Sequence, residues 1–244
     1  MIIIASDYDG TLNHHGISEA DKNAIKKFRE AGNKFGIVTG RDLEQALWVV
    51  YDLKRAELEL DFVIGCTGGV ILTSSGEIVS AKKQKTGEYI NEMLNYARTL
   101  NLGTFRVSNE LTVCFADARN NIKQDFSAIS ELTQANAWFG SEEDAEKFLQ
   151  YVKKNHADDI SIFRNGGSID MPPRGVSKVS GIYDYAKKYD GAKIYAVGDN
   201  VNDIPMLSEF ESYAVSNARD EVKAVAKHQC DRIADMIEEI MKEN

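Results

Sequence analysis

The chain has 244 residues, and its 43% hydrophobic and 27% charged content is ordinary for a globular protein. The formal net charge of −9 argues against nucleic acid as a partner, because nucleic-acid-binding surfaces are usually basic. The apolar segment 1–5 is followed almost at once by the charged residue Asp7, so we expect it to be too short for a signal peptide or a membrane span. Cys66, Cys114 and Cys230 are far apart and predict buried free thiols in a reducing compartment. We therefore expect a cytoplasmic protein without a membrane partner.

In the first third of the chain, short apolar strands alternate with amphipathic helices. Ser18 followed by Asp21 is typical of a helix start, and Gly32 of a helix end. The predicted elements are strands at 2–6, 35–38 and 61–65, helices between 18 and 32 and at 42–55, and a hairpin of 70–72 and 78–79. This alternation predicts a parallel sheet with helices on both faces.

The pattern becomes mixed between residues 84 and 171 and then returns to alternation. The mixed part predicts helices near 86–100, 120–133 and 142–156, and strands near 104–107, 111–116, 159–164 and 167–171. The last part predicts helices at 177–188, 201–209, 219–227 and 235–243, and strands at 193–197 and 212–215. We therefore predict an α/β protein with a Rossmann-like, doubly wound parallel sheet core of residues 1–82 and 173–244, and an inserted α+β domain at 83–172.

The segment D-Y-D-G-T at 7–11 directly follows the first strand. Ligands of open α/β sheets bind at the carboxyl ends of the strands, so this position favours a functional site. Gly10 permits a turn that brings Asp9 toward the same reaction centre as Asp7, and the turn exposes backbone N–H groups that can bind a phosphate. One carboxylate can then attack a substrate while the other transfers protons. A polar turn that only closes the strand is the alternative.

Two weaker signals lie at a strand end and at a helix start. Thr39-Gly40-Arg41 ends the second strand, and its hydroxyl, backbone N–H group and guanidinium suit phosphate oxygens, with an ordinary loop as the alternative. Lys178 follows the helix-capping residue Ser177 and occupies the first helical turn, where the helix dipole disfavours a cation. We therefore expect an anion at this helix start; a solvated surface lysine is the alternative.

The segment G-D-N-V-N-D at 198–203 follows another predicted strand. Asp199 and Asp203 are four residues apart, so they share one face of the helix that starts here. Carboxylates of this kind suit Mg²⁺, which takes them together with water and phosphate oxygens, although helix capping is the alternative. Neither paired histidines nor clustered cysteines offer a zinc or transition-metal site.

The four segments, in this order, resemble the haloacid dehalogenase-like hydrolase superfamily. The similarity covers nearly the whole chain and rests on D-x-D-G-T at 7–11, Thr39, Lys178 and G-D-x-x-N-D at 198–203. The insertion at 83–172 resembles the C2B cap of the Cof-type phosphatases. The resemblance implies a Mg²⁺-dependent phosphatase that hydrolyses small phosphorylated metabolites, which include sugar phosphates, through an aspartyl phosphate.

The same resemblance assigns roles to the candidate residues. It implies that Asp7 attacks phosphorus and that Asp9 protonates the leaving oxygen and later takes a proton from water. Thr39 and Lys178 would hold phosphate oxygens with Asn202 orienting them. The contacts expected of Gly40 and Arg41 rest on the loop residues themselves and not on the resemblance. The implied Mg²⁺ ligands are Asp7, the Asp9 backbone carbonyl and Asp199, with Asp203 in support.

Two features leave the substrate open. Many Cof-type relatives carry Asn-Gly-Ala after the third strand, where this chain has Thr67-Gly68-Gly69. The stretch 166–172 resembles sugar-phosphate phosphatases and phosphomannomutases of the same superfamily. A phosphomutase and a non-catalytic phospholigand-binding protein therefore remain alternatives, and neither the substrate nor the oligomeric state follows from the sequence. Within the insertion, Arg164 and Asn165 are the residues expected to face the core and select substrates.

Overall fold

Residues 1–110, 113–117, 126 and 129–243 are described by the structure, a computed structural model. The strands, in chain order, are β1 (Ile2–Ser6), β2 (Lys34–Val38), β3 (Phe62–Gly65), β4 (Val70–Leu72), β5 (Ile78–Ala81), β6 (Gln84–Lys85), β7 (Leu102–Ser108), β8 (Val113–Asp117), β9 (Glu131–Leu132), β10 (Gln134–Phe139), β11 (Phe163–Asn165), β12 (Ser168–Met171), β13 (Lys193–Gly198), β14 (Glu211–Val215) and β15 (His228–Cys230). The helices are α1 (Glu19–Glu30), α2 (Leu43–Arg55), α3 (Glu88–Ala97), α4 (Glu142–Asn155), α5 (Lys178–Ala186), α6 (Ile204–Glu209), α7 (Asp220–Lys223) and α8 (Ile233–Glu243).

The larger sheet has the strand order β15-β14-β13-β1-β2-β3-β4-β5. The six strands from β15 to β3 run parallel, and β4 and β5 continue the sheet antiparallel. Central strand β1 is buried along its whole length, which explains its continuous apolar sequence. Since β1, β2 and β13 are parallel neighbours, the segments that follow them meet at one edge. The predicted α/β, Rossmann-like fold class is confirmed.

Side-chain capping fixes the helices that were predicted from their start signals. The Ser18 hydroxyl accepts a hydrogen bond from the Asp21 backbone N–H (3.1 Å), and α1 buries Ile25 and Phe28 against the sheet. At the start of α5, Ser177 and Ser180 cap each other reciprocally, with N–H to Oγ distances of 3.2 and 3.0 Å. This cap places Lys178 as the first residue of α5, as the sequence predicted.

A second sheet is built between β5 and α5, from residues that the sequence assigned to an insertion. Its strand order is β11-β12-β10-β7-β8, and all neighbouring strands are antiparallel. Along β7, β10 and β12, buried apolar residues alternate with polar residues. The apolar face joins the buried side of α3 and α4 in a hydrophobic cluster separate from that of the larger sheet.

Several predicted elements differ from those observed. The helix predicted near 120–133 falls mostly on residues outside the described part, but residues 131–132 form β9, which pairs with β6. Strand β10 was not predicted, because Ala135, Asn136 and Ala137 lack the β-branched character of a typical strand. The helix predicted at 219–227 is the four-residue α7, followed by edge strand β15.

Within the described ranges, no helix combines the length and apolarity needed to cross a membrane. Cys66 and Cys230 are buried free thiols, and burial raises the pKa of each to about 12, which keeps them protonated. The side chain of Cys114 lies outside the described part of the chain.

Candidate active site

Three carboxylates from two adjacent strand ends form the centre of the candidate site. Asp7 follows β1, and its backbone N–H donates to the Val197 carbonyl of β13 (2.9 Å). Asp199 and Asp203 lie in the segment that follows β13. One carboxylate oxygen from each of the three residues lies within 4.8 Å of the other two. The sheet topology therefore brings together three of the predicted metal-binding residues.

The Lys178 ammonium is buried between two of these carboxylates. Its Nζ lies 2.6 Å from Asp7 Oδ1 and 2.6 Å from Asp203 Oδ1. Burial alone would lower the pKa of Lys178, but the Asp203 and Asp7 carboxylates raise it above its ordinary value. Two side-chain carboxylates thus lie at this helix start, and the predicted phosphate contact of Lys178 stays a prediction. The surface-lysine alternative is wrong because Lys178 is 2% exposed.

The carboxylate cluster carries more negative charge than Lys178 can offset. Burial raises the pKa of Asp7 well above its ordinary range, Asp203 raises it further, and Lys178 opposes both effects. Burial also raises the pKa of Asp199. A bound divalent cation would favour the ionised forms, and a set of carboxylate oxygens is the donor type that Mg²⁺ prefers. The residues present therefore fit the predicted metal.

Gly10 and Thr11 shape the cluster from the loop after β1. Gly10 adopts φ +83°, and a Cβ at this position would lie 2.5 Å from Asp199 Oδ2. Both the backbone conformation and the close approach therefore require glycine. The Thr11 hydroxyl donates to Asp199 Oδ1 (2.8 Å), so the final residue of the motif orients a predicted metal ligand. The sequence assigned no role to Thr11.

The Asp9 side chain points to Arg41 and lies outside the three-carboxylate cluster. Arg41 Nε and Nη2 donate to the two Asp9 oxygens at 2.8 and 2.7 Å, a bidentate pair. The guanidinium also stacks over the Tyr8 ring at 5.4 Å from its centroid. Asp9 and Asp7 line the same cavity. The predicted metal contact of Asp9 uses its backbone carbonyl and stays a prediction.

The loop after β2 lines this cavity together with Asn200 and Asn202, which follow β13. The Arg41 backbone N–H donates to Thr39 Oγ1 (3.2 Å), which orients the hydroxyl. The Gly40 carbonyl accepts from Gln134 Nε2 of β10 (2.7 Å), so the loop is held by the second sheet. Asn202 is 9% exposed, and its Oδ1 has no hydrogen-bond partner within the described ranges. A donor on a bound ligand would satisfy this buried acceptor.

Thr67 begins the segment Thr67-Gly68-Gly69, where the sequence departs from the Asn-Gly-Ala pattern expected from the resemblance to Cof-type phosphatases. Cys66 and Thr67 have φ values of 51° and 52°, a left-handed conformation that asparagine tolerates better than a β-branched residue. The strain is offset locally, because the Thr67 N–H donates to the Thr39 carbonyl (3.1 Å) and its hydroxyl to Gln134 Oε1 (3.2 Å). Thr67 thus supports the Thr39 loop and the contact with the second sheet.

A cavity of about 320 Å³ is lined by residues from both sheets and from the loops next to them. From the larger sheet it is lined by Asp7, Asp9, Thr39, Gly40, Arg41, Gln45, Asn200 and Asn202. From the second sheet it is lined by Thr104, Arg106, Asn136, Trp138, Asn165, Ser168 and Asp170. A larger surface groove beside α1 and α2 contains none of the predicted site residues.

One of the two selectivity residues expected in the insertion is placed elsewhere. Asn165 lines the cavity and accepts from Asn200 Nδ2 (2.7 Å). Arg164 is directed to α4 instead, with ion pairs to Glu142 (2.7 Å) and Glu146 (2.6 Å). The expectation for Arg164 is wrong, because neighbouring strand residues point to opposite faces of a sheet.

Sequence reasoning missed the face of the second sheet that lines the cavity, which we call the polar wall. Its signal is a period of two: Thr104 and Arg106 on β7, Asn136 and Trp138 on β10, and Ser168 and Asp170 on β12 alternate with buried apolar residues. This wall could be recognised only after strand β10 had been identified, and the alanines of β10 do not favour a strand. The pairing of the three strands is long-range and had no local signal.

A family model described as haloacid dehalogenase-like hydrolase matches residues 4–236. An uncharacterised protein encoded in the pdhA 5′ region of Geobacillus stearothermophilus is 45% identical over 62 residues, which span 24% of this chain and 65% of that protein.

Solved structures show the same fold. A haloacid dehalogenase-like hydrolase from B. subtilis has a TM-score of 0.82 at 20% identity, with 98% of this chain and 99% of that chain covered. A subclass IIB sugar phosphatase has a TM-score of 0.77 at 21% identity, with 100% and 98% covered. A phosphatase from Bacteroides thetaiotaomicron has a TM-score of 0.74 at 22% identity, with 99% and 94% covered. Since the family match extends over most of the chain, this protein belongs to the haloacid dehalogenase-like hydrolase family.

Proposed function

We propose that this protein is a magnesium-dependent phosphatase that hydrolyses small phosphorylated metabolites through an aspartyl phosphate on Asp7. The observation that carries the proposal is the buried Asp7 carboxylate, 2.6 Å from Lys178 Nζ and clustered with Asp199 and Asp203. Such a concentration of buried charge costs stability and is typical of a functional site. Membership of a hydrolase family supports the same conclusion.

The reaction has two displacement steps. First, an Asp7 carboxylate oxygen attacks phosphorus, the bond to the leaving oxygen breaks, and protonated Asp9 gives its proton to that oxygen. Second, water attacks the phosphorus, Asp9 takes the proton of the water, and the bond between Asp7 and phosphorus breaks. Inorganic phosphate leaves, and both carboxyl groups return to their starting forms.

The Arg41–Asp9 pair has to open before Asp9 can carry and donate a proton. A phosphate in the cavity offers Arg41 another bidentate partner, so substrate binding would free Asp9. The Thr39 hydroxyl, the Gly40 N–H group and Lys178 would bind phosphate oxygens. Asn202, which lines the same cavity and has a buried Oδ1 without a hydrogen-bond partner among the described residues, would orient the bound group.

Asp7, Asp199, Asp203 and the Asp9 backbone carbonyl would hold Mg²⁺. When bound, the ion would offset the charge of the nucleophile and stabilise the charge of the transferring phosphoryl group. Among the described residues, Lys178 is the sole ammonium in contact with the cluster, and its single positive charge does not offset three carboxylates.

Residues 83–172 would act as a cap over this site. Three contacts support this role: Gln134 with Gly40, Arg106 with Asp42, and Asn165 with Asn200. Each contact joins the second sheet to a loop at the carboxyl edge of the larger sheet. Breaking these contacts would let the cap open and release product. Forming them would close the cap and exclude bulk water from the site.

The test is an assay of phosphate release from p-nitrophenyl phosphate and a panel of sugar phosphates with Mg²⁺. We expect Asp7→Asn to reduce turnover at least about a thousandfold, because an amide does not attack phosphorus; this corresponds to about 4 kcal/mol of barrier. Asp190→Asn, at an exposed position, is the matched control and should retain full activity. Full activity in excess chelator, or in Asp7→Asn, would contradict the proposal.

The same assay separates the two alternatives that the sequence left open. A phosphomutase would form a sugar-phosphate isomer with little release of phosphate. A phospholigand-binding protein would show ligand-induced stabilisation without turnover of any compound in the panel.

A further inference from the structure

A row of three polar side chains crosses the second sheet above the candidate nucleophile. Asn136 on β10 is paired in register with Arg106 on β7 and with Asp170 on β12. All three residues line the cavity that also contains Asp7. The row therefore lies where the leaving group of a phosphate ester bound at Asp7 would project.

The positive charge in this row is already engaged by the protein. The Arg106 guanidinium contacts Asp42 Oδ2 at 2.6 Å and Glu44 Oε2 at 3.0 Å, both from the start of α2. Arg106 is the sole cation that the second sheet contributes to the cavity lining within the described part of the chain. Its two carboxylate partners leave this wall without positive charge to offer an anionic leaving group.

The negative charge in the row is oriented but not neutralised. The Asp170 carboxyl is 5% exposed and accepts a hydrogen bond from Asn136 Nδ2, while its Oδ2 lies close to Gly40. No cation lies within salt-bridge distance of Asp170 among the described residues. Burial raises the pKa of Asp170 to about 7, so the group is ionised in mildly alkaline solution.

The rest of the wall suits a ligand with many hydroxyl groups. The Trp138 ring is half-exposed, and its neighbours across the strands are Thr104 and Ser168. An aromatic face beside hydroxyl, amide and carboxyl groups can contact the C–H face of a polyol and bond its O–H groups. A second phosphate or a carboxylate would instead lie near the Asp170 carboxyl, and the Arg106 guanidinium is already paired with Asp42 and Glu44.

We propose that the row of Arg106, Asn136 and Asp170 selects phosphate monoesters whose leaving group is an uncharged polyol or sugar, with Asp170 rejecting leaving groups that carry a second negative charge. This inference rests on the proposed phosphatase function and extends it to the class of substrate. It also disfavours the phosphomutase alternative where the mutase must hold a sugar bisphosphate, because Arg106, the sole cation of the wall within the described part of the chain, is already paired with Asp42 and Glu44.

The test compares substrates of equal length that differ in charge. Glycerol 3-phosphate carries a hydroxymethyl group where 3-phosphoglycerate carries a carboxylate. At pH 8, we expect the wild-type protein to prefer glycerol 3-phosphate in kcat/KM by at least about tenfold, because like charges repel strongly in a partly buried site. For the same reason, kcat/KM should be higher for fructose 6-phosphate than for fructose 1,6-bisphosphate.

Asp170→Asn keeps the shape of the side chain and removes its charge. We expect this variant to reduce the preference for glycerol 3-phosphate over 3-phosphoglycerate about tenfold, whereas Asp158→Asn, an exposed carboxyl outside the cavity, should leave the ratio unchanged. The wild-type comparison needs no variant, so it stands even where Asp170→Asn fails to fold.

The outcomes separate this inference from the proposed function. Absence of p-nitrophenyl phosphate turnover in the wild-type protein would overturn the proposed function. Turnover of that compound combined with equal or better use of 3-phosphoglycerate would overturn the role of the row alone. An unchanged ratio in folded Asp170→Asn would likewise exclude Asp170 as the selecting residue.

Discussion

Replacing Lys178 by methionine tests the electrostatic arrangement of the site through stability. The substitution keeps the length of the side chain but removes the ammonium that lies 2.6 Å from both Asp7 and Asp203. Two buried carboxylates would then face each other without a cation. Breaking a buried ion pair in this way costs about 3–5 kcal/mol, far more than the fraction of a kcal/mol that an exposed lysine contributes.

The assay is thermal unfolding in the presence of a chelator, so that no divalent cation replaces the lost ammonium. For a chain of this size, about 1 kcal/mol corresponds to roughly 2–4 °C, so we expect Tm to fall by about 10 °C. Lys187→Met is the matched control, since Lys187 lies just beyond the same helix with a 74% exposed side chain. A fall no larger in Lys178→Met than in Lys187→Met would refute the account of a charged, buried centre.

Three further predictions concern the cavity and its metal. Gly40→Ala should destabilise the protein by about 1–3 kcal/mol in urea unfolding and raise KM, because its Cβ would lie 2.4 Å from Asp170 Oδ2. The free energy of unfolding of the wild-type protein, relative to that of Asp170→Asn, should fall by about 2–3 kcal/mol between pH 5 and pH 8. The reason is that burial raises the pKa of the Asp170 carboxyl to about 7 in the folded protein. The stability that the protonated carboxyl contributes is complete below about pH 4 and is lost as the pH rises through 7. Added Mg²⁺ should raise the Tm of the wild-type protein and leave that of Asp199→Asn nearly unchanged, and an equal rise in both would exclude Asp199 as a ligand.

The positions that carry charge at strand ends were predictable from sequence because their signals are local. Asp7 follows a run of buried isoleucines, and Lys178 follows a capping serine where a cation is otherwise unfavourable. Parallel topology then brings such segments together at one edge of the sheet, whatever the details of the loops. The sequence thus identified both Asp7 and Lys178 as candidate site residues, but it did not predict the direct contact between them.

The second sheet was less predictable because its signals are weak or long-range. Strand β10 contains two alanines and an asparagine, which do not favour a strand by themselves, and it is stabilised by pairing with β7 and β12. Asp170 acquires its role from Asn136 on the neighbouring strand and from Gly40 in the other sheet. Side-chain direction was equally hidden, since Asp9 turns to Arg41 and Arg164 turns to α4.

The central claim is that the phosphoryl group passes through Asp7. In Asp9→Asn, p-nitrophenyl phosphate should still phosphorylate the protein, because its leaving group needs no proton, while hydrolysis is slowed by loss of the base. The direct measurement is mass spectrometry of the N-terminal peptide after an acid quench, with Asp7→Asn as the control. We predict one added phosphoryl group on Asp7, absent in Asp7→Asn, whereas a phosphoryl group on another residue, or phosphate release without any phosphorylated protein, would contradict the account.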